Sequence, residues 1–408
     1  MSSKLPPRAA ASIDLGAFVN NLRLAQAHCP AQSLLPVIKA NGYGHGLEAV
    51  ARALLAAVAS ETPESETAPG GRLRIEGCAV AALCEAQRLR DLAWTLPIVL
   101  LPGFSNEQEL AESIRLGLDP VIHSPYQLAL LRASVSADAA GFSRVWLKAN
   151  TGMNRLGMSA EQWQQAYATL AAIEGLEVVA MSHLACADEL DSNATHEQQR
   201  RFDALTAAIG YAGESLGEQA ARVQGKSLAA SGGILAWPDT HNSIVRPGIM
   251  LYGSSPFATR SASQIGLEPV MTLRSRLIAI NEVNEGEAIG YGGTYVANAP
   301  MRVGVVSIGY GDGYPRSAPS GTPVLVETSA GPQRTTLIGR VSMDMITIDV
   351  TGLELGVGAE VVLWGEGLPA DEIAQHCGTI AYELFCQVTP RVPREIRQIG
   401  ETTEPREH

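Results

Sequence analysis

Short apolar runs alternate with longer amphipathic stretches along roughly the first 250 residues, as in a chain of repeated strand and helix units. Each run is mostly apolar and ends near Gly, Asn or Ser, which is typical of a strand buried on both faces of a parallel sheet. The predicted strands span residues 34–39, 78–83, 96–101, 119–123, 145–149, 176–183, 228–231 and 243–251. About eight strand–helix repeats over roughly 250 residues predict a (β/α)8 barrel of the TIM type, and a doubly wound open sheet is the alternative.

The segments between these runs have apolar residues at helical spacing. Within residues 159–173, apolar side chains recur at positions 163, 166, 167, 170 and 173, which places them on one face of a helix. Ser159 and Gln162 have the spacing of a capping box at the start of this helix. An earlier helix is predicted to begin after Asp14, because aspartate caps helix N-termini.

The pattern changes after about residue 257, where long helical stretches give way to short strands separated by Gly-, Pro- and Asp-rich turns. The predicted strands here span residues 271–280, 302–308, 323–327, 336–338, 345–350 and 360–363, and helices are predicted at 370–377 and 381–388. We therefore divide the chain into an α/β barrel domain over residues 1–257 and a mostly β domain over residues 258–408. The Glu-, Thr-, Pro- and Gly-rich segment 60–71 is predicted to be a surface loop inserted between repeats.

Composition and charge exclude several classes of protein. The chain has 408 residues, of which 30 are Lys or Arg and 42 are Asp or Glu, so its formal net charge is −12. Without a basic cluster, such a chain is a poor nucleic-acid binder. Apolar residues make up 46% of the chain, enough for sizeable cores, yet no uncharged apolar run approaches the roughly 20 residues that span a membrane.

The six cysteines form no CxxC pair, and the N-terminal residues before Asp14 contain no apolar segment of the kind that directs secretion. We therefore expect reduced thiols in a cytoplasmic protein and no metal site.

One loop carries candidate chemistry. The first predicted barrel strand ends in the sequence KANGYGHG, which begins at Lys39. Its glycines are spaced GxGxG, whereas a dinucleotide fingerprint requires GxGxxG. A lysine at the carboxyl end of a barrel strand lies on the face where such enzymes place their active sites, and lysines form Schiff bases with carbonyl compounds such as pyridoxal phosphate. Position alone favours a solvated lysine at a strand end.

Eight segments in chain order resemble motifs of the alanine racemases. They are PVIKANGYGHG, LKANTGMNRLGM, MSHLACADE, VRPGIMLYG, IGYGGTY, SIGYGDGYPR, GRVSMDM and AYELFCQVTPRVPR. The resemblance spans nearly the whole chain, and it implies an eight-stranded α/β barrel followed by a β domain. It also implies racemisation of alanine with pyridoxal 5'-phosphate, either to supply D-alanine for the cell wall or in alanine catabolism.

The resemblance implies two bases on opposite faces of the substrate. Lys39 corresponds to the lysine that binds the cofactor covalently and acts as the base for the D-enantiomer. Tyr291, in IGYGGTY, corresponds to the base for the L-enantiomer. In the family these two groups come from different subunits, so the resemblance implies a homodimer with shared active sites.

The remaining cofactor contacts follow from the same matches. Arg246 corresponds to the arginine that faces the pyridine nitrogen, and His183 corresponds to the histidine that supports this arginine. A guanidinium only donates and stays protonated, so it does not readily protonate the ring nitrogen. The residues that match the family's phosphate-binding set are Tyr43, Ser231, Gly248, Ile249 and Tyr382.

On the substrate side, the resemblance implies carboxylate contacts from Arg155 and the Met343 main chain, with Tyr310 at the entrance. Lys148 matches a lysine that is often carbamylated in the family, where the carbamate pairs with the arginine equivalent to Arg155. Asn150 departs from the family pattern, which often has Asp there. The loss of that carboxylate changes the local charge balance, and the sequence is compatible with either a carbamylated or a free Lys148.

Three alternatives share the barrel and the cofactor. A serine or broad-specificity racemase is one, although the broad-specificity type is typically exported. A non-catalytic pyridoxal-phosphate carrier has a single domain, whereas this chain has about 150 further residues. A basic-amino-acid decarboxylase uses a cysteine and acidic groups in its β domain, and Cys386 lies in no matching motif.

Overall fold

The computed structural model describes residues 7–62, 71–134, 141–207 and 223–397. Its strands are β1 (Ala9–Asp14), β2 (Ser33–Leu34), β3 (Cys78–Val80), β4 (Ile98–Leu100), β5 (Asp119–Ile122), β6 (Arg144–Lys148), β7 (Glu177–Met181), β8 (Gly225–Ser227), β9 (Ile244–Val245), β10 (Met271–Val283), β11 (Ala288–Ile289), β12 (Tyr295–Val296), β13 (Met301–Val306), β14 (Pro323–Thr328), β15 (Gly331–Thr336), β16 (Ile346–Asp349), β17 (Glu360–Trp364) and β18 (Arg394–Arg397).

Helices occupy much of the rest of the chain. They are α1 (Leu15–His28), α2 (Lys39–Tyr43), α3 (Leu47–Ala59), α4 (Leu83–Asp91), α5 (Glu107–Arg115), α6 (Pro125–Ser134), α7 (Ala160–Ala171), α8 (Ala194–Ala207), α9 (Ser231–Ala236), α10 (Ala262–Ile265), α11 (Ala370–Cys377) and α12 (Ala381–Gln387). Single 3-10 turns lie at Pro238–Thr240, Ile249–Tyr252, Tyr291–Gly293 and Tyr310–Asp312. No described helix is both long and apolar enough to cross a membrane.

The strands β2 to β9 form a closed parallel barrel. β3 to β8 pair in chain order, and β2 pairs with β9. Parallel bridges from Leu34 to Ile75 and from Val37 to Ala79 join β2 to the β3 side, and a bridge from Ala230 to Arg246 joins the β8 side to β9. The predicted (β/α)8 barrel is thus confirmed over the open-sheet alternative.

Two predicted helix starts are present as expected. The Asp14 side chain accepts a hydrogen bond from the Ala17 N–H at 2.9 Å and caps α1. Ser159 and Gln162 form the predicted capping box at the start of α7. The apolar face of α7 then buries Trp163 and Leu170 against the barrel strands.

The second domain contains a mixed eight-stranded sheet, as the predicted mostly β domain requires. Its central strand β10 pairs with β1 and β17 along its first half and with β13 along its second half. β1, which the sequence did not predict, joins this sheet antiparallel to β10 and parallel to β18. Residues 9–14 therefore belong to the sheet of the second domain, although they precede the barrel in the chain. The division at residue 257 stays a prediction.

Several predicted strands have different bounds. The first barrel strand, predicted at 34–39, is limited to β2, so Lys39 lies in the helical turn that follows it. The strand predicted at 228–231 is replaced by β8, which ends at Ser227, and Ser231 already begins α9. The strand predicted at 243–251 ends at β9, because Pro247 lacks an N–H for the ladder and Ile249–Tyr252 forms a helical turn. Of the strand predicted at 336–338, only Thr336 lies in a strand, β15, which pairs with β14 as a hairpin and begins five residues earlier than predicted. Residues 63–70 of the predicted 60–71 loop lie outside the described part of the chain.

One apolar core connects the barrel with the second domain. It contains Phe18 of α1, Tyr252 after β9, Leu273 of β10 and Phe385 of α12, all of them buried. A second apolar cluster contains Leu147 of β6 and Trp163 of α7. Because the larger core is continuous, α12 of the second domain lies against the mouth of the barrel.

Candidate active site

Lys39 begins a left-handed helical turn that follows β2. The φ angles of Ala40, Asn41, Gly42 and Tyr43 are 52°, 56°, 63° and 50°. The Asn41 N–H donates to Glu85 Oε1 at 3.0 Å, and the Asn41 side-chain oxygen accepts from the Leu47 N–H at 3.2 Å. These bonds compensate for backbone that residues other than glycine rarely adopt.

Gly44 ends this turn with a φ of 79°, and a Cβ here would lie 2.0 Å from the carbonyl oxygen of Phe385 in α12. Only glycine fits at this contact between the turn and the second domain.

The Lys39 side chain is half-buried at the barrel mouth. Burial lowers the pKa of its amine, and the positive charge of Arg155 lowers it further, whereas Cys386 and Glu85 act in the opposite direction. A lowered pKa increases the neutral fraction of the amine, which is the form that attacks carbonyl groups and accepts protons.

Arg246 lies at the centre of the barrel mouth and is only 3% exposed. Its guanidinium donates to Ser227 Oγ at 2.5 Å, to the Ser182 carbonyl at 2.7 Å and to the Leu228 carbonyl at 3.1 Å. Burial lowers the pKa of Arg246 to about 10, so the guanidinium stays protonated at neutral pH. The side chain is therefore a fixed buried cation.

His183 lies beside this cation, with its Nδ1 atom 3.2 Å from the Arg246 guanidinium. Burial and the Arg246 charge hold the pKa of His183 well below its usual range. The ring is neutral, and its Nδ1 accepts from the guanidinium, since a guanidinium nitrogen only donates. The predicted contact between His183 and Arg246 is present.

Aromatic and hydroxyl groups form a cradle beside the Lys39 turn. Ser231 Oγ accepts from the Gly248 N–H at 3.0 Å and from the Met250 N–H at 3.4 Å. A Cβ on Gly248 would lie 2.9 Å from the Tyr43 hydroxyl oxygen, so glycine allows the phenol to approach. The ring of Tyr382, from α12, lies 5.8 Å from that of Tyr43.

Both phenols of the cradle are hydrogen-bond donors at neutral pH, because burial raises the pKa of Tyr43 and of Tyr382. Ile249 follows Gly248 at the start of the helical turn Ile249–Tyr252. The five residues of the predicted phosphate set are thus close together.

Lys148 is the last residue of β6 and is 8% exposed. Burial and then the charges of Arg246, Arg155 and Lys39 lower the pKa of its amine to about 8. Asn150 does not pair with it; its side chain donates to Asn154 Oδ1 at 2.9 Å and accepts from the Gly152 N–H at 3.1 Å. The residue that departs from the family pattern therefore orders the loop after β6.

Three predicted site residues of the second domain do not join this cluster within one chain. Tyr291, at the start of a 3-10 turn beside Arg340, is 71% exposed, and Met343 is 53% exposed. Tyr310 is 39% exposed, and its N–H donates to the Ser342 carbonyl at 3.1 Å. The main chain of Met343 contacts the same segment, because its carbonyl accepts from the Gly311 N–H at 2.8 Å.

Protein-family models match both parts of the chain. The family model described as "Alanine racemase, N-terminal domain" matches residues 13–64 and 65–256, and "Alanine racemase, C-terminal domain" matches residues 270–396. A protein named alanine racemase from Alcanivorax borkumensis is 45% identical over 385 residues, which cover 94% of this chain and 98% of that protein. The chain belongs to the alanine racemase family.

Solved structures agree with this membership in the alanine racemase family. The crystal structure of biosynthetic alanine racemase from Pseudomonas aeruginosa has a TM-score of 0.85 and 39% identity, and the match covers 96% of this chain and all (100%) of that one. The alanine racemase structure from Acinetobacter baumannii has a TM-score of 0.82 and 33% identity, with 96% and 100% coverage.

The residues present fit pyridoxal phosphate, the cofactor expected for the alanine racemase family. Ser231 Oγ accepts two main-chain N–H groups, so its hydroxyl hydrogen is available to an anion beside the phenols of Tyr43 and Tyr382. Arg246 supplies a donor-only group, and Lys39 supplies an amine with a lowered pKa. Phosphate, ring nitrogen and aldehyde each have a suitable partner in the cluster.

Several residues that support the site were not predicted from the sequence. Glu85, which is 7% exposed, accepts from the Asn41 and Ala81 N–H groups, and Ser182 and Ser227 accept from Arg246. The sequence carried no signal for Glu85, because its burial is seen only in the folded chain. The serines carried no signal, since only the closed barrel brings neighbouring strand ends together.

Proposed function

We propose that the protein interconverts L-alanine and D-alanine with pyridoxal 5'-phosphate and two bases. One observation carries the proposal. Lys39, Arg246 and the Tyr43–Ser231 cradle lie together at the carboxyl ends of the barrel strands, in a chain that matches proteins named alanine racemase over nearly its full length. The product D-alanine would serve cell-wall synthesis or alanine catabolism.

Lys39 would hold the cofactor covalently, and Tyr43, Ser231, Gly248, Ile249 and Tyr382 would hold its phosphate. When bound, pyridoxal phosphate supplies an electron-withdrawing ring that stabilises the negative charge left on the substrate's Cα after proton removal. Arg246 would donate a hydrogen bond to the ring nitrogen without giving up its proton. This limits how much charge the ring withdraws and disfavours side reactions such as transamination.

Racemisation needs one proton removed from one face of Cα and another delivered to the opposite face. The Lys39 Nζ atom would accept the proton of D-alanine, and the Tyr291 Oη atom would accept that of L-alanine. Each group returns a proton in the opposite direction of the reaction. Burial and the Arg155 charge lower the pKa of Lys39, which favours the neutral amine that this role requires.

Arg155 and the Met343 main chain would bind the substrate carboxylate, and Tyr310 would line the entrance. Lys148 would react with carbon dioxide to give a carbamate that pairs with Arg155. Its buried amine has a pKa of about 8 and no ion-pair partner within 4.0 Å among the described residues, and both properties favour conversion to an anion. Incubation with 13C-labelled bicarbonate should yield a carbamate signal that is absent in Lys148→Gln.

The second base would come from a partner subunit in a homodimer. Tyr291, Met343 and Tyr310 are exposed in one chain, whereas the cofactor residues of the barrel are mostly buried. A second copy that places its Tyr291 over the barrel mouth would complete the site. The six cysteines lie in the described part of the chain and are unpaired, which supports the proposed cytoplasmic location.

The decisive experiment follows D-alanine formation from L-alanine with and without added pyridoxal phosphate. The wild type should be active, and borohydride should attach the cofactor to Lys39. Tyr291→Phe should retain the bound cofactor's colour but lose deuterium exchange at Cα of L-alanine more than exchange at D-alanine. Unchanged exchange at L-alanine would remove Tyr291 from the mechanism, and colourless, unlabelled wild type would remove the cofactor.

Turnover of alanine, serine, lysine and arginine by the same preparation tests the broad-specificity alternative. We expect alanine to be preferred, and comparable turnover of lysine or arginine would contradict the proposed substrate.

A further inference from the structure

The turn that carries Lys39 has an unfavourable backbone. Ala40, Asn41 and Tyr43 are not glycine, yet their φ angles are 52°, 56° and 50°. Left-handed backbone is sterically unfavourable for residues other than glycine, because it brings Cβ too close to the following carbonyl oxygen. Contacts from outside the turn must therefore favour this conformation over ordinary backbone.

His45 supplies such a contact from the protein interior. Its Nδ1 atom lies 2.8 Å from the carbonyl oxygen of Tyr43 and 3.1 Å from that of Gly42. A carbonyl oxygen only accepts hydrogen bonds, so Nδ1 carries the hydrogen and donates to both. The Nε2 atom is buried and has no hydrogen-bond partner among the described residues.

The surroundings of His45 keep its ring neutral and fixed. The side chain is fully buried, and its ring centroid lies 4.7 Å from that of Tyr252 and 5.0 Å from that of Phe385. Burial lowers the pKa of His45 to about 4, and the charge of Arg394 acts in the same direction. The ring of Tyr252 also stacks on that of Tyr43, with ring centroids 4.6 Å apart. His45 and the Tyr43 phenol of the cradle therefore pack against the same side chain, Tyr252.

We propose that His45 is a positioning residue whose Nδ1–H holds the left-handed turn, so that the Lys39 amine and the Tyr43 phenol face the cofactor site. His45 acts through the backbone of the turn and exchanges no proton during the reaction. This inference rests on the proposed attachment of pyridoxal phosphate to Lys39.

Two substitutions separate the hydrogen bond from the packing. In His45→Asn, the side-chain NH2 takes about the position of Nδ1 and still donates to the two carbonyls. In His45→Gln, the NH2 takes about the position of Nε2 and cannot reach them. Full-length holoenzyme of each variant is dialysed, and the half-time of cofactor loss and the fraction of Lys39 trapped by borohydride are measured.

We expect His45→Asn to release cofactor at a rate within about threefold of the wild type and His45→Gln to release it about 10-fold faster, as the loss of one buried hydrogen bond predicts. Equal release from the two variants overturns the inference, whether both are fast or both are slow. Failure to trap the cofactor on Lys39 in the wild type overturns the proposed function instead.

A measurement on the wild type keeps the test valid if His45→Gln does not fold. Nitrogen NMR of 15N-histidine-labelled holoenzyme, with His45 assigned by its absence in His45→Asn, reports which ring nitrogen carries the hydrogen. We expect the Nδ1–H form, and an Nε2–H or doubly protonated ring at pH 7 would overturn the inference.

Discussion

The two ends of the barrel contain opposite arrangements of charge, and a single strand joins them. At its carboxyl end β6 presents Lys148, close to Lys39, Arg155 and Arg246, and none of these four cations has an ion-pair partner within 4.0 Å among the described residues. At its amino end β6 presents Arg144, which forms ion pairs with Glu76, Asp119 and Glu177. One end has an excess of positive charge, and the other has more acids than bases.

The difference separates function from stability. Burial, and then the charges of Arg246, Arg155 and Lys39, lower the pKa of Lys148 to about 8, and this repulsion disfavours folding of the empty site. An anionic cofactor and substrate would relieve it. At the amino end, the acidic and basic side chains already pair with one another, so no ligand is needed to balance their charges. Substitutions at the carboxyl end should therefore affect activity, whereas substitutions at the amino end should affect stability.

The largest effect should come from Lys39→Ala. We expect D-alanine formation to fall about 10⁴-fold, because the chain loses both the cofactor anchor and one base. The thermal unfolding temperature of the cofactor-free protein should not fall, since Lys39 has no ion pair to lose. Lys39→Arg is the control, because it retains the charge without the amine chemistry. Substantial activity in the arginine variant would contradict the assigned role.

Arg246→Gln should have the next largest effect. We expect kcat/KM to fall about 10²-fold while the cofactor remains bound, because a fixed positive donor is lost from the ring. Arg246→Lys retains the charge but reaches fewer of the acceptors Ser227, Ser182 and Leu228, so its activity should be intermediate. Steady-state kinetics with D-alanine and L-alanine would check this order, and equal kcat/KM in all three proteins would disprove it.

At the amino end, Arg144→Gln should lower stability and leave the chemistry intact. We expect a loss of about 3 kcal/mol in the free energy of unfolding, because a partly buried cation is removed from among three carboxylates. Turnover at saturating alanine should stay within about twofold of the wild type.

Arg334→Gln is the matched control, since its ion pair with Glu372 is more exposed and should contribute less than about 1 kcal/mol. Urea unfolding of both variants measures the difference. A loss of activity in Arg144→Gln without a loss of stability would contradict the conclusion that charges at the amino end serve stability and those at the carboxyl end serve function.

The effect of Asp119→Asn should be confined to stability, and it should depend on pH. Burial raises the pKa of Asp119 from its ordinary value of 3.8 to about 6, even though Arg144 lies 3.9 Å away. The folded state therefore binds the proton more tightly than the unfolded state, and wild-type stability falls as pH rises from about 4 to about 6.

Asparagine removes this dependence. Above pH 6 we expect Asp119→Asn to be more stable than the wild type by up to about 3 kcal/mol, and below pH 4 the two should converge. Urea unfolding at pH 4, 6 and 8 tests the sign. A variant that is less stable at pH 8 would show that the pairing with Arg144 outweighs the cost of burial.

Local sequence patterns were sufficient to predict much of the fold. The capping box at Ser159 and the cap at Asp14 depend on contacts three residues apart, so the printed order of residues predicts them. β1 was missed because Ala9 to Ser12 have low strand propensity, and the strand exists through pairing with β10 and β18, more than 250 residues away.

The residues of the candidate site also divide into those that the sequence predicted and those that it did not. Residues alone indicated Lys39 and its glycine-rich loop, and the resemblance to alanine racemases supplied the other candidates with their roles, which stay predictions. The support from Glu85, Ser182 and Ser227 could not be predicted, because it consists of hydrogen bonds between groups on separate elements. His45 bonds to carbonyls only two and three residues away, but no sequence pattern indicated the left-handed turn that brings them together.

The sequence by itself determined the repeated strand–helix units, the mostly β second domain and the membership in a family, since each depends on residue types at fixed spacing along the chain. Tertiary structure alone decided the left-handed turn at Lys39 and the gathering of unpaired cations at one end of the barrel. The reason is physical: both arrangements are unfavourable for the backbone or the charges involved, and buried contacts that form only in the folded chain compensate for them.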